Sequence, residues 1–558
     1  MQDSRVKIKG VANTVGGSSV TLWGSLTLSL ALLSSIHVVG AEIPSGVALS
    51  PHQELVINNV AEPASLDPHK TLGSPEASIM ANLFEGLASF DPRGEIVPGV
   101  AVRWESTPDF KRWTLYLRTE ASWSNGEPLT AHDFVYSWQR LADPETAAPY
   151  VDALLGMRLE NIDEIVSGKQ PSGKLGICAI DDHTLQLSLS SPVPYLSKML
   201  ANFPLYPIHQ ATVEKFGDKW TSPANWVGNG AYKIDKWLVN ERIVLLRNKN
   251  YWDNLNMVID KVTFLPLSSD ESAVKRYLAG EIDITGRNLP TELFKEFKHT
   301  MAEEVQASPR LALYFYEFNI RQAPFNDPRV RRALSLVLNR EWISSSVLGQ
   351  GQLPAYTFNS RDPKGFQPHP VVWSSWEPQQ RQVEARKLLQ EAGYGEEKPL
   401  KFTLSYDNSE YNKKIALAAA AMWRETLGAE VRLEGQEWRS FMENRAAAKL
   451  QMSALTWFSD YNEPSSFLNI LISNSSVCTS GYSSQYFDDL MLRSLSATTV
   501  EERYQIYQAA EDQLMLDLPI IPLFHVVTVR LVKPDIGGYR CDNPMRVFYM
   551  KDLYRIKR

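Results

Sequence analysis

A short acidic and aromatic segment is the part of this sequence whose residue types could do chemistry. It runs from Trp457 to Pro464 and places Asp460 directly after an aromatic turn and before a proline-containing bend. A carboxylate that is removed from water binds a positively charged amine through a charge-assisted hydrogen bond. Alone the segment is a modest signal. Together with a secretory leader and a tryptophan-rich, cysteine-poor body, it predicts a secreted receptor that holds a small ligand by its amine.

Patterns typical of enzymes are missing from the sequence. It contains no Gly-x-Ser-x-Gly elbow, no His-Glu-x-x-His zinc helix and no phosphate-binding loop. The nine histidines are scattered, and His69 is better explained by a turn that Asp67 and Pro68 hold. Trp438 and Trp457, taken singly, are typical of a protein core. We therefore expect no catalytic residue, no metal site and no cofactor.

The first 41 residues have the pattern of a cleaved signal peptide. Three basic residues precede an apolar stretch within residues 21–39, and the small residues Gly40 and Ala41 follow, so cleavage is expected after either. An uncleaved N-terminal anchor is the alternative. The remaining sequence has no second apolar run long enough to span a membrane, so the mature chain is expected to be soluble.

Charge and length exclude some classes of protein. The whole chain has 57 Lys and Arg against 64 Asp and Glu, a net charge of −7, and removing the basic leader leaves the mature chain near −9. Such a balance provides no basic face for nucleic acid. Over 500 residues remain after cleavage, which predicts two or more domains. The three cysteines are too widely spaced for a metal site, and a bridge between Cys478 and Cys541 stays open.

The elements that must position these residues alternate irregularly between strands and helices, which indicates a mixed α/β architecture. Period-two alternation of apolar and polar residues predicts strands at Trp113–Arg118 and Thr184–Ser190. Ile243–Leu246 and Val262–Leu265 are predicted as further strands. A helix start is predicted at Asn326, Asp327 and Pro328. A second helix is predicted at Val383–Ala392, ending at Gly393. A third is predicted to begin after Thr499 and to run to Leu516.

Several segments, in order along the chain, resemble the periplasmic oligopeptide-binding proteins, which are receptors of peptide ABC importers. The similarity runs from about Glu42 to the C-terminus, and the oligopeptide-binding and murein-tripeptide-binding branches of Gram-negative bacteria are the most similar. The matching segments are Ser65–His69, Leu83–Leu87, Trp113–Arg118, Trp123–Gly126, Ala131–Phe134, Gly228–Tyr232, Pro324–Arg331 and Asp460–Pro464.

This resemblance implies a large, two-lobed α/β fold that encloses its ligand between lobes closing about a hinge. It implies three domains: a discontinuous first domain of residues 42–85, 210–311 and 528–558, a second of 86–209 and a third of 312–527. It also implies a periplasmic, monomeric protein whose partners are a short peptide and the permease subunits of an inner-membrane ABC transporter.

The resemblance further assigns the ligand-binding residues. Asp460 corresponds to the aspartate that pairs with the peptide α-ammonium, and Tyr150 to an aromatic residue near the same end. Trp438 and Trp457 correspond to walls of side-chain pockets, and Arg445 to an arginine that can meet a ligand carboxylate. Backbone groups near Ser74 and Phe458 would pair with the peptide main chain as in a sheet.

The sequence departs from the family at the carboxyl end of the ligand. Three positions that are basic in the well-known oligopeptide receptor are here Ala454, Asn412 and Leu348, and its paired cysteines fall at Ala312 and Phe458. The murein-peptide branch also keeps basic residues that this chain lacks. Broad tolerance of peptide length is therefore in doubt, and Arg445 is the main remaining anchor for a ligand carboxylate.

We predict a binding protein that captures short peptides and delivers them to an ABC transporter. Three alternatives stay open: a receptor specific for murein tripeptide, a peptidase, and a periplasmic chaperone or sensor partner.

Overall fold

The computed structural model describes residues 40–557 apart from 287, 361–364, 474, 476, 498 and 546. The predicted signal peptide lies almost entirely outside the described residues. In this part of the chain, none of the helices has both the length and the apolar character that crossing a membrane requires.

In the described part of the chain, strands form three large sheets and two small ones. In chain order they are β1 (Glu54–Asn58), β2 (Ala88–Phe90), β3 (Ile96–Pro98), β4 (Ala101–Ser106), β5 (Arg112–Leu117), β6 (Ile177–Asp181), β7 (Thr184–Ser188), β8 (Tyr232–Leu238), β9 (Arg242–Arg247), β10 (Lys261–Leu265), β11 (Val305–Phe318), β12 (Leu353–Pro354), β13 (Lys401–Asp407), β14 (Glu430–Gln436), β15 (Met452–Phe458), β16 (Ile520–Leu531), β17 (Ile536–Gly537) and β18 (Tyr554–Arg555).

Helices cover these sheets and connect their strands. They are α1 (Ser74–Leu83), α2 (Ala131–Ala142), α3 (Asp152–Leu155), α4 (Ile162–Val166), α5 (Leu196–Met199), α6 (Gln210–Phe216), α7 (Asp270–Leu278), α8 (Thr291–Thr300), α9 (Pro328–Val337), α10 (Arg340–Trp342), α11 (Pro378–Glu391), α12 (Glu410–Leu427), α13 (Trp438–Ala446), α14 (Ser465–Leu468), α15 (Gln485–Leu495) and α16 (Val500–Asp517).

Each large sheet is built from a different part of the chain. One has the order β1-β10-β9-β8, another β4-β5-β7-β6, and the third, with six strands, β12-β16-β11-β15-β13-β14. In the six-stranded sheet β13 is parallel to β14 and β15, whereas β11 is antiparallel to β15 and β16. The predicted boundaries of the three domains stay a prediction.

The predicted strands are confirmed as β5, β7, β9 and β10. The alternating apolar residues of β5 and β7 are buried, and in β5 these are Trp113, Leu115 and Leu117. The predicted turn at residues 67–70 is also present, since the Lys70 N–H donates to the Asp67 carbonyl at 3.0 Å. Its Asp67 carboxylate is buried and binds the guanidinium of Arg140, which makes this cluster part of the core.

The predicted helices are present with small shifts of their ends. Asp327 caps α9 by accepting a hydrogen bond from the Arg329 N–H, and Pro328 occupies the first turn. Helix α11 begins five residues before the predicted start, at Pro378, and is followed by Gly393 with φ +84°. Thr499 caps α16, which ends at Asp517, one residue beyond the prediction. The cysteine bridge left open by the sequence is not formed, because Cys178, Cys478 and Cys541 are all free.

Candidate functional site

All seven predicted ligand-binding residues line one cavity. The walls come from the start of α1, from residues 150 and 201–206, from α13, and from β15 with the turn after it. The predicted residues among them are Ser74, Tyr150, Trp438, Arg445, Trp457, Phe458 and Asp460. Their roles in binding stay predictions.

Asp460 lies in a tightly held turn directly after β15. The Ser466 hydroxyl accepts a hydrogen bond from the Asp460 N–H at 2.8 Å, and the Ser466 carbonyl accepts one from the Trp457 indole at 3.0 Å. The Ser459 N–H donates to the Leu311 carbonyl on β11 at 2.8 Å. These bonds fix the backbone, so the half-buried carboxylate of Asp460 is held at the cavity wall rather than in a mobile loop.

Tyr150 approaches Asp460 from a distant part of the chain, and its hydroxyl donates a hydrogen bond to Oδ2 of Asp460. The Tyr150 side chain is buried, and burial, followed by the Asp460 carboxylate, raises the pKa of its hydroxyl well above the usual value. Tyr150 therefore stays neutral. It donates a hydrogen bond to the Asp460 carboxylate, which keeps its negative charge.

Aromatic rings form the adjoining walls. The ring of Trp457 meets that of Tyr150 edge-on, with centroids 6.2 Å apart, and both tryptophans at this site, Trp438 and Trp457, are half-buried. Trp438 begins α13 and Arg445 lies seven residues, or about two turns, later on the same helix face. This spacing explains why one short helix brings both side chains to the cavity.

The backbone of β15 continues past its partner on one side. Strand β13 pairs with it only at Met452 and Ser453, although β11 pairs with it as far as Phe458. Among the described residues, no other strand pairs with residues 454–458 on the β13 side. Because residues 455–458 line the cavity, this strand edge can pair with an extended chain placed there.

Arg445 lines the cavity, but its charge already has a partner. Its Nε donates to Oε2 of Glu317 at 2.8 Å, and Nη2 donates to the Val477 carbonyl at 2.6 Å. The two side chains are 9% and 2% exposed. Burial raises the pKa of Glu317, but Arg445 and hydrogen bonds from Cys478 and Thr479 outweigh it and lower the pKa overall, so the pair is ionic.

The three positions where the family carries basic residues have structural contacts here. Leu348 and Ala454 are buried apolar residues. Asn412 donates from its amide to Oδ2 of Asp407 at 2.5 Å and is also buried.

Sequence reasoning missed Glu317 and a buried charge cluster at Glu463. Lys198 Nζ and Arg503 Nε each donate to a different oxygen of Glu463 at 2.8 Å, which joins residue 198 to the turn that contains Asp460. A signal for Glu317 was present, because it is the one acid in the aromatic run of residues 314–318. A charged residue that is predicted to be buried requires a partner.

Comparison with known proteins gives the family of this chain. Residues 95–477 match the model of the bacterial extracellular solute-binding proteins, family 5. The periplasmic oligopeptide-binding protein OppA of Salmonella typhimurium is 48% identical over 527 residues, which cover 94% of this chain and 97% of that protein. The chain belongs to this family of solute-binding proteins.

Solved structures agree with this assignment. Haemophilus influenzae OppA in complex with the peptide RPPGFSPFR has a TM-score of 0.88 at 42% identity, covering 91% of this chain and 100% of that one. The Escherichia coli murein tripeptide-binding protein MppA has a TM-score of 0.89 at 41% identity, covering 92% and 100%. The predicted two-lobed α/β fold is therefore confirmed.

The chain is more similar in structure to the peptide complex of OppA than to an unliganded open form of MppA. The unliganded open form of MppA, with the same 41% identity and covering 92% of this chain and 99% of that one, has a TM-score of only 0.68. Because sequence identity and coverage are nearly unchanged, the lower score reflects the positions of the lobes. Contacts such as Tyr150 to Asp460 thus belong to an arrangement that differs from the open one.

Proposed function

We propose that this protein captures short peptides in the periplasm and delivers them to an ABC transporter in the inner membrane, without catalysis. The leader would be removed after Gly40 or Ala41, and the mature chain would act as a monomer. The observation that supports this most directly is Asp460, an acid that lines the cavity and accepts a hydrogen bond from the neutral hydroxyl of Tyr150.

The peptide would lie extended in the cavity with its α-ammonium at Asp460. A hydrogen bond to a charged group contributes roughly 1.5–3 kcal/mol, which is enough to select peptides with a free amino end. Main-chain pairing with the exposed edge of β15 near Phe458, and with backbone groups near Ser74, would hold peptides of any sequence. Trp438, Trp457 and the guanidinium of Arg445 would form the walls of the side-chain pockets.

A murein tripeptide is the second candidate ligand. It is supported by the similarity to MppA, which has a TM-score of 0.89, against 0.88 for the OppA complex. Competition between murein tripeptide and tri-alanine, measured by calorimetry, separates the two. Displacement by the murein peptide alone would favour the specific receptor.

Replacing Asp460 by Asn tests the proposed function. We expect the affinity for tri-alanine to fall by roughly 10- to 150-fold, because the ammonium loses its charged partner. Affinity for N-acetyl-tri-alanine, which has no ammonium, should be weak and the same in both proteins. Asp235→Asn is the matched control, since Asp235 is exposed on β8 and should leave binding unchanged. Parental affinity of Asp460→Asn for tri-alanine would refute the proposal.

A further inference from the structure

A second chamber adjoins the cavity along helix α1. The two share Ala77, Ala81 and Val547 among their lining residues. The other walls of the chamber include residues 57–60, at the end of β1, and Arg530 on β16. Because the two spaces meet at α1, a side chain of a ligand in the cavity can point toward the chamber.

Arg530 brings a buried positive charge to this chamber. The residue is 5% exposed, and its guanidinium lies over the ring of Phe548, with its carbon 4.8 Å from the ring centroid. Nη1 donates to the Thr285 carbonyl at 3.3 Å, whereas Nε is buried and has no hydrogen-bond partner among the described residues. Part of the binding capacity of this guanidinium is thus available to a ligand.

No carboxylate balances the charge of Arg530 in the described part of the chain. Burial lowers the pKa of its guanidinium, and the opposing effect comes from the hydroxyl of Tyr539 instead of an acid. Residues 287 and 546, which lie outside the described ranges, are arginines and cannot supply an acid. Arginine stays charged in proteins, and buried charges are normally paired. The position of Arg530 therefore favours an anionic ligand group.

Asn58 adds a second donor to the same chamber. Its Oδ1 accepts hydrogen bonds from the N–H groups of Val60 at 2.9 Å and Leu267 at 3.3 Å, which fixes the orientation of the amide. Its Nδ2 is buried and has no hydrogen-bond partner among the described residues. A carboxylate can accept hydrogen bonds at both of its oxygens, so it matches one charged and one neutral donor.

The segment of residues 285–286 contacts both donor residues. The Thr285 carbonyl accepts from Arg530, and a Cβ at Gly286 would lie 2.9 Å from Nδ2 of Asn58. Glycine at position 286 therefore keeps the space beside this nitrogen free of a side chain. The guanidinium and the amide are in this way tied to two consecutive residues.

We infer that Arg530 and Asn58 form a carboxylate-binding subsite beside the peptide cavity, which receives an acidic side chain of the bound peptide. The inference rests on the proposed function, in which the peptide main chain lies near Ser74, at the start of α1. Peptides with glutamate at the position that faces α1 would bind more tightly than the same peptides with glutamine. Arg530 would be the residue that determines this specificity.

Paired peptides test this inference. Tetra-alanine with a single glutamate at each position in turn, and the matching peptides with glutamine, are titrated into the parent protein by calorimetry. We expect glutamate to bind about tenfold more tightly than glutamine at one position. If the peptides bind but each pair agrees within about threefold, as when water alone fills the chamber, the inference is overturned. If none of the peptides binds, the proposed function fails instead.

Replacing Arg530 by Met should remove the preference. The affinity for the preferred glutamate peptide should fall about tenfold, to that of its glutamine counterpart, which should itself be unchanged. Lys233→Met is the matched control, because Lys233 is an exposed cation on β8 that lines neither space. It removes the same charge and should keep the preference. A folded Arg530→Met protein that still prefers glutamate overturns the inference.

Asn58→Asp tests the subsite independently, including the case in which Arg530→Met does not fold. Aspartate keeps an oxygen for the N–H groups of Val60 and Leu267 but places a negative charge in the chamber. The preference for glutamate should disappear or reverse, and an unchanged preference would overturn the inference.

A free carboxylate from solution is the other source of the same chemistry, and acetate distinguishes it from a peptide side chain. Acetate is added to the parent and to Arg530→Met without peptide, and thermal unfolding is followed. If acetate stabilises the parent alone and the peptide pairs show no preference, the chamber takes free anions and the inference is overturned. A preference for glutamate that acetate weakens in the parent supports it.

Discussion

Asp460 and Arg445 carry opposite charges at the same cavity, yet the protein treats them in opposite ways. Asp460 accepts a hydrogen bond from the neutral hydroxyl of Tyr150, whereas Arg445 pairs with the ionised carboxylate of Glu317. Asp460 is half-buried, while Arg445 and Glu317 are almost fully removed from solvent. A charge that faces a cavity is available to a ligand only if the protein has not already neutralised it.

The same comparison separates binding from stability. A buried pair such as Arg445 and Glu317 gains little net free energy over an apolar pair, but removing one member leaves the other charge buried and unpaired. Asp460 is half-buried and accepts a hydrogen bond from the neutral hydroxyl of Tyr150, so its replacement should affect the ligand more than the fold.

Replacing Arg445 by Met should have the largest effect, a loss of stability. We expect the free energy of unfolding to fall by about 3–5 kcal/mol, because Glu317 loses its cation while it remains buried. Denaturant unfolding followed by circular dichroism measures this change. Asp460→Asn should lower stability by less than about 1 kcal/mol in the same assay, which is typical of a partly exposed site.

Arg439 provides the matched control for that experiment. It lies on the same helix, α13, and pairs with Glu443 at 3.0 Å, but both side chains are mostly exposed. Exposed pairs contribute little, so Arg439→Met should change the free energy of unfolding by no more than about 0.5 kcal/mol. If Arg445→Met were as mild as Arg439→Met, the contrast between the two charges would be wrong.

Glu511 sharpens the comparison because it is a buried acid whose described hydrogen bonds all come from N–H groups. It accepts hydrogen bonds from the Phe358 N–H and from the backbone and side chain of Asn359, and burial raises its pKa to about 7 against these bonds. The pKa of this glutamate in the unfolded chain is 4.5. Between about pH 4.5 and pH 7 the folded protein therefore keeps a proton on Glu511 that the unfolded chain has lost. Its contribution to stability is therefore present below about pH 4.5 and is lost as the pH rises through about 7.

The pH dependence of the contribution of Glu511 to stability is tested by measuring the unfolding of the parent and of Glu511→Gln at several pH values. The free energy of unfolding of the parent, relative to the variant, should fall by at most about 3 kcal/mol between about pH 4.5 and pH 8. Glu317 has a lowered pKa, so the opposite trend is expected for the parent relative to Glu317→Gln, namely a loss as the pH falls below 4.5. A difference between parent and Glu511→Gln that does not vary with pH would contradict the raised pKa.

Local patterns made much of the fold predictable. The alternation in β5 and the cap at Asp327 depend on residues that are neighbours in sequence, and both elements are where they were expected. The site residues could be predicted only from the resemblance to the family. They are spread along the sequence from Ser74 to Asp460, and they line one cavity in the folded protein.

The pairing of Arg445 could not be predicted in the same way. Glu317 lies 128 residues before it, and only the packing of α13 beside the six-stranded sheet brings the two together. The aromatic surroundings of Glu317 indicate a buried acid but do not name its partner. The charge available in a site depends on such long-range pairs, which a motif does not contain.

Removing the hydroxyl of Tyr150 should have the smallest effect, a modest loss of peptide affinity. Tyr150→Phe leaves the ring against Trp457 but deletes the donor to Asp460. Because this bond acts on the ligand only by orienting the carboxylate, we expect the affinity for peptides to fall by about 1 kcal/mol, or about fivefold. The change should weaken tri-alanine and leave N-acetyl-tri-alanine unaffected, because the hydroxyl orients the carboxylate that meets the ammonium.

Tyr116→Phe is the control for this variant, since the Tyr116 hydroxyl also faces an acid, Glu105, but on an exposed strand pair. Its affinity for tri-alanine should equal that of the parent. If Tyr150→Phe bound tri-alanine as tightly as the parent or more tightly, the hydroxyl would compete with the ligand for the carboxylate instead of orienting it. Asp460 would then be partly occupied in the free protein, and its difference from Arg445 would be one of degree.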